Sequence, residues 1–103
     1  MGVAKDLETT KAELAKVKPL IDKSNVTDAR KAVDAIEKKL DTIVDNYKKK
    51  TNLNTQNLKK LSTALEEISK ILDKTPFEGG KAITAINTAT TAVDTAVNTA
   101  KTT

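Results

Sequence analysis

The chain has 103 residues, 31% of them charged, and a formal net charge of +4, which is enough for one domain burying roughly two-thirds of the surface its unfolded form exposes. Cysteine and histidine are absent, which excludes disulfides, thiolate metal sites and the side chain that most often moves protons at neutral pH. Tyr47 and Phe77 are the only aromatics, so the core must come from 9 Leu, 7 Ile, 7 Val and the alanines, a set that suits closely packed helices better than a β-sandwich.

The opening stretch "MGVAKDLETTKAELAK" is charged throughout and has no continuous apolar run. Neither a signal peptide nor a transmembrane helix is expected from it, and the expected location is the cytoplasm or a virion. Gly2 does not start a myristoylation motif, because Asp6 stands where that motif needs Ser or Thr. Val3, Leu7, Leu14, Val17 and Ile21 instead mark a helical stripe over about residues 3–22. Pro19 removes one backbone hydrogen bond and crowds the preceding turn, so this helix is expected to kink or end near Lys18.

Val26, Ala29, Val33, Ile36, Leu40, Ile43 and Tyr47 follow at intervals of three and four, predicting a second helix over about 26–50. Asn25 or Thr27 can cap it, Asp28 lies in its first turn, and Lys48, Lys49 and Lys50 crowd its end, the charge order a helix dipole favours. "TNLNTQN" then reads as a turn. Leu58, Leu61, Ala64, Leu65, Ile68, Ile71 and Leu72 form a broad stripe over about 55–74, wide enough to face two neighbours. Were the turn straight, the second and third helices would be continuous, giving a long-helix three-helix arrangement of about 72 Å over residues 27–74. A turn fits the usual length of bundle connections better.

"KTPFEGGK" is the strongest break in the chain, and Gly80 is expected to release a fourth helix from about Lys81 to residue 101. Phe77 is expected to plug the turn. Within that helix Ala82, Ile86, Ala89, Val93, Ala96 and Ala100 keep a four-three rhythm. Only four charged residues, Glu78, Lys81, Asp94 and Lys101, fall in 76–103, against 28 in residues 1–75. A solvent-facing helix normally carries charge outside; this one offers Thr and Asn. Ten of the 19 residues from 82 to 100 are branched at the β carbon, so the helix must draw its stability from packing.

No set of residues forms a catalytic, metal or cofactor signature. Glu37, Asp41 and Asp45 share one helix face, yet a helical ridge brings no loop carbonyls to complete a cation shell; it is read as a solvated ridge facing lysines. "FEGGK" fails as a phosphate loop, because Thr75 and Ala82 stand where Gly and Ser or Thr are required. Lys48, Lys49, Lys50, Lys59 and Lys60 gather around an acid-free stretch and could touch phosphates. With 17 Lys and one Arg, neither bidentate base readout nor stacking is served.

These residues lead to an all-α chain, most simply an antiparallel four-helix bundle of about twenty-residue helices, each about 30 Å long. The expected function is a non-enzymatic structural or assembly protein that needs no cofactor and no small-molecule substrate. It would self-associate, or dock onto another helical protein of a larger particle such as a phage virion or filament, through a helix carrying Ile86, Ala89, Val93, Ala96 and Ala100. The alternative is a small basic module that meets nucleic acid or another polyanion through the lysine-rich tip.

Overall fold

The computed structural model describes residues 2–47, 55–74 and 76–102, with the side chains of Tyr47, Thr55 and Thr102 left aside. Among them run four helices, α1 (Val3–Asp22), α2 (Val26–Tyr47), α3 (Thr55–Asp73) and α4 (Gly79–Thr102), and no strand. Each packs against its chain neighbour, and α4 closes the ring onto α1, while the diagonal pairs do not approach one another through their backbones. The result is a rod of 43 × 19 × 18 Å, an antiparallel four-helix bundle.

Periodicity explains the ring. In α1 the buried positions Val3, Leu7, Thr10, Leu14, Val17 and Ile21 alternate steps of four and three without a gap. In α2 the buried residues are Ala29, Val33, Ile36, Leu40 and Ile43, at the same rhythm. Such a stripe keeps one seam toward a near-parallel neighbour, as in left-handed helix packing. Helix α3 buries a wider band, Leu58, Leu61, Ala64, Leu65, Ile68 and Leu72, with Ile71 half-buried. α4 buries Ala82, Ile86, Ala89, Val93 and Ala96 and adds Ala85, Ala92 and Val97, so it meets two neighbours at once. Its small seam residues let backbones come close, and the backbones of α1 and α3 approach α4 over more of their length than those of α2 and α3 approach each other.

Helix α1 covers the expected span of about 3–22, running on through Pro19 to Asp22 rather than ending near Lys18. The carbonyl that Pro19 leaves without its helical donor belongs to the exposed Ala15, where water can serve it, while Val17 and Ile21 on either side are buried in the core. The actual stop lies at Ser24, whose φ of 58° places it in the left-handed region. The Asn25 N–H donates to the Leu20 carbonyl at 2.8 Å and the Ser24 N–H to that of Ile21 at 2.9 Å, the Schellman pattern that normally uses glycine. Asn25 then caps α2: its Oδ1 accepts from the Asp28 N–H at 3.3 Å and its Nδ2 donates to the Asp28 carboxylate at 2.8 Å.

Helix α4 starts at Gly79 rather than near Lys81, with the Ala82 N–H donating to the Glu78 carbonyl at 3.2 Å. Phe77 is half-buried against the core beside this start. The expected extension of the second helix to residue 50 and the turn near residues 50–55 lie outside the described residues. Because α2 and α3 run antiparallel and side by side, they are separate helices.

Ion pairs set the relative heights of the helices. Lys39 of α2 pairs with Glu13 of α1, Arg30 of α2 with Asp73 of α3, Lys11 of α1 with Asp94 of α4, and Lys101 of α4 with Glu8 of α1 at 3.0 Å. All are at least partly open to water, which screens such pairs and keeps them weak. They select register more than they hold the bundle together.

Candidate functional site

The outer surface of α4 differs from that of the other helices in its chemistry. Between Lys81 and Lys101 its exposed residues are Thr84, Asn87, Thr88, Thr91, Thr95 and Asn98, none of them charged. Five of these, Thr84, Thr88, Thr91, Thr95 and Asn98, repeat the four-three step of the buried seam on the opposite side of the helix. Asp94, the one charge in the interval, is half-buried and turns toward Lys11 of α1. On α2, by contrast, Asp28, Lys31, Asp34, Lys38, Asp41 and Asp45 are exposed, as expected of a helix in water.

The hydroxyls of this row are spoken for. Thr84 donates to the Gly80 carbonyl at 3.1 Å, Thr88 to Thr84 at 3.2 Å, Thr91 to Asn87 at 3.1 Å and Thr95 to Thr91 at 3.0 Å. Each proton is used one turn back along the helix. What these four threonines present outward is therefore methyl groups and oxygen acceptors, with no hydroxyl proton left to strand and no charge to strip of water.

Beside this row, α3 and α4 enclose an open groove of about 860 Å³. Its α3 wall carries Gln56, Lys60, Thr63, Ala64 and Glu67, and its α4 wall Thr88, Thr91, Ala92 and Thr95. Lys59 reaches this groove and also the one between α2 and α3, where Asp41 and Asp45 lie.

Ile86, Ala89, Val93 and Ala96 are buried within the chain's own bundle, and Ala100 is half-buried. They form the seam that holds α4 in place, and the Thr row lies on the opposite side of the helix. Of the lysine cluster, Lys59 and Lys60 are exposed in the second turn of α3, whereas Lys48, Lys49 and Lys50 lie outside the described residues. In the acidic ridge, Glu37 accepts a hydrogen bond from Ser69 of α3 at 3.1 Å, and Asp41 and Asp45 are exposed. Among the described residues no group of three or more acidic side chains could hold a metal ion. Nor is any described helix long and apolar enough to cross a membrane.

Two groups have displaced acidities. The guanidinium of Arg30 is raised above its ordinary value, first by its hydrogen bond to Asp73. The carboxyl of Glu78 is lowered by hydrogen bonds from Lys74 at 2.8 Å and from Lys81, whose ammonium is 3.1 Å away. Arg30 thereby ties α2 to the end of α3, and Glu78 ties the end of α3 to the start of α4.

No family model matches the chain, and neither the curated proteins nor the solved structures include a match to it.

Proposed function

We propose that this chain is a non-enzymatic structural or assembly protein that docks through the outer face of α4, onto copies of itself or onto a larger particle such as a virion or filament. The observation that carries this reading is the row Thr84, Thr88, Thr91 and Thr95, exposed yet uncharged, with its hydroxyl protons bonded to the helix backbone. Threonine is a poor choice for a helix that faces only water, where Lys or Glu would favour both the helix and solubility. A contact surface gives the choice a physical reason, because burying methyl groups is favourable and no charge must be desolvated. The inventory agrees: without His or Cys, acid-base chemistry falls chiefly to lysines and carboxylates, and among the described residues Lys11, Lys39 and Lys101 are matched with carboxylates of other helices.

Deleting α4 would not be a clean test, since the deletion would also remove Ala82, Ile86, Ala89 and Val93 from the core. Thr91→Lys is cleaner. It is an exposed position, and Lys is the better helix former. Sedimentation equilibrium of the full chain should show concentration-dependent association that Thr91→Lys weakens by about tenfold or more, with unchanged circular dichroism. Equal association of both proteins would reject the face.

A second reading, contact with a polyanion, is supported by the exposure of Lys59 and Lys60 on adjacent positions of α3. Its mark would be salt-sensitive retention on heparin that survives Thr91→Lys.

A further inference from the structure

We infer that the α3/α4 groove is the contact surface for a second copy of this chain, related to the first by a two-fold axis crossing the groove at its middle. The inference rests on the outer face of α4 being a contact surface, and adds the occupant and its register.

The charge arrangement of the groove carries it. Lys60 and Glu67 both line the α3 wall, seven residues and so about 10.5 Å apart along the helix, with Thr63 and Ala64 at the midpoint. On the α4 wall Thr88 and Thr95 are also seven residues apart, and Thr91 and Ala92 lie at that midpoint. Glu67 and Thr88 also line the next groove toward Glu78, which puts them together at one end and Lys60 with Thr95 at the other. The groove is therefore acidic at one end, basic at the other and uncharged between.

Rotating a copy by a half turn about the middle exchanges the ends. Lys60 of each copy then meets Glu67 of the other, twice in one interface, while Thr88 meets Thr95 and the Thr and Ala midpoints meet each other. This is the self-complementarity that an isologous interface requires. A two-fold running along the groove would instead keep like ends together and set each Lys60 over Thr95 and each Glu67 over Thr88, with no opposite charge to meet. Among the described residues neither Lys60 nor Glu67 forms an ion pair within its own chain, so both remain available. The chain as a whole is +4 and repels a copy of itself; in this groove Lys60 is balanced by Glu67, and Lys59 is shared with Asp41 and Asp45 of the adjoining groove.

Charge exchange in the full chain tests the register. By sedimentation equilibrium at low salt, Lys60→Glu and Glu67→Lys should each dimerise about tenfold or more weakly than the unaltered chain, since either change sets like charges together twice per interface. A mixture of the two variants should recover the dimer, because every pair in the mixed species is again opposite. The double variant should recover it as well. All these positions are exposed, and circular dichroism checks that each variant folds. If Thr91→Lys abolishes association while the charge variants and their mixture behave as the unaltered chain does, the two-fold register is overturned and the α4 face stands. If Thr91→Lys has no effect, both are overturned. A chain that remains monomeric at millimolar concentration overturns the second copy as occupant and leaves α4 to a different partner.

Discussion

Thr10 occupies a place where the rhythm of α1 calls for an aliphatic side chain, and it is fully buried. Its hydroxyl donates to the Asp6 carbonyl at 3.1 Å, so burial strands no polar atom, and its methyl faces the core. The apolar stripe read from Val3, Leu7, Leu14, Val17 and Ile21 has a gap where Thr10 stands; only the ability of threonine to bond backward in a helix closes it. Because the Asp6 carbonyl retains its helical backbone donor, Thr10→Val replaces a hydroxyl by a methyl without orphaning a partner. The substitution should raise stability by about 1 kcal/mol, read as a higher urea midpoint at unchanged slope. A lower midpoint would mean that the hydroxyl has a second role.

At the scale of the helices, α4 shows how a seam of small residues trades side-chain volume for close approach. Ala89 is fully buried in a seam that α1 and α3 approach closely. Ala89→Leu should therefore cost about 1–3 kcal/mol through overpacking, measured by denaturant unfolding, although Leu and Ala are both good helix formers. An unchanged midpoint would show that the seam is looser than its alanines imply. Pro19 makes the converse point. Read locally it ends a helix; placed in the last turn, beside the exposed Ala15 carbonyl and between the buried Val17 and Ile21, it is tolerated because packing outweighs one lost bond. Ser24 ends the helix instead, in a left-handed conformation that costs about 1–2 kcal/mol for a non-glycine residue. No sequence signal marks Ser24 as strongly as Pro19 marks Lys18, since the cost of the conformation is carried by the bundle.

For the whole molecule, acid should loosen the bundle at the joint between α3 and α4. Glu78 holds its proton less tightly when folded than when unfolded, because Lys74 and Lys81 bond to the carboxylate. Its contribution is therefore present above the ordinary glutamate value of 4.5 and is lost as pH falls through the lower folded value, since there the unfolded chain binds the proton first. Thermal melts from pH 6 downward, roughly across the carboxylate range, should show a shallower loss of stability in Glu78→Gln than in the unaltered chain. Identical slopes would remove this joint from the acid response.

Four amphipathic periods, the breaks between them, the scarcity of aromatics and the absence of cysteine and histidine pointed to an all-helical antiparallel bundle with a small-residue fourth helix, and left open a continuous second and third helix. That follows because a stripe at four-three spacing must be buried, and short connections leave antiparallel neighbours as the way to bury it. The sequence also marked α4 as a helix poor in charge. Its Ala, Ile and Val already read as the inward seam and its Thr and Asn as the outward face, because burial favours apolar groups; only the tertiary structure decided that α1 and α3 are the two helices that cover that seam. The groove that sets Lys60 and Glu67 at opposite ends of the Thr row likewise exists only once α3 lies antiparallel to α4, since residues separated by more than twenty positions along the chain share a surface through packing alone.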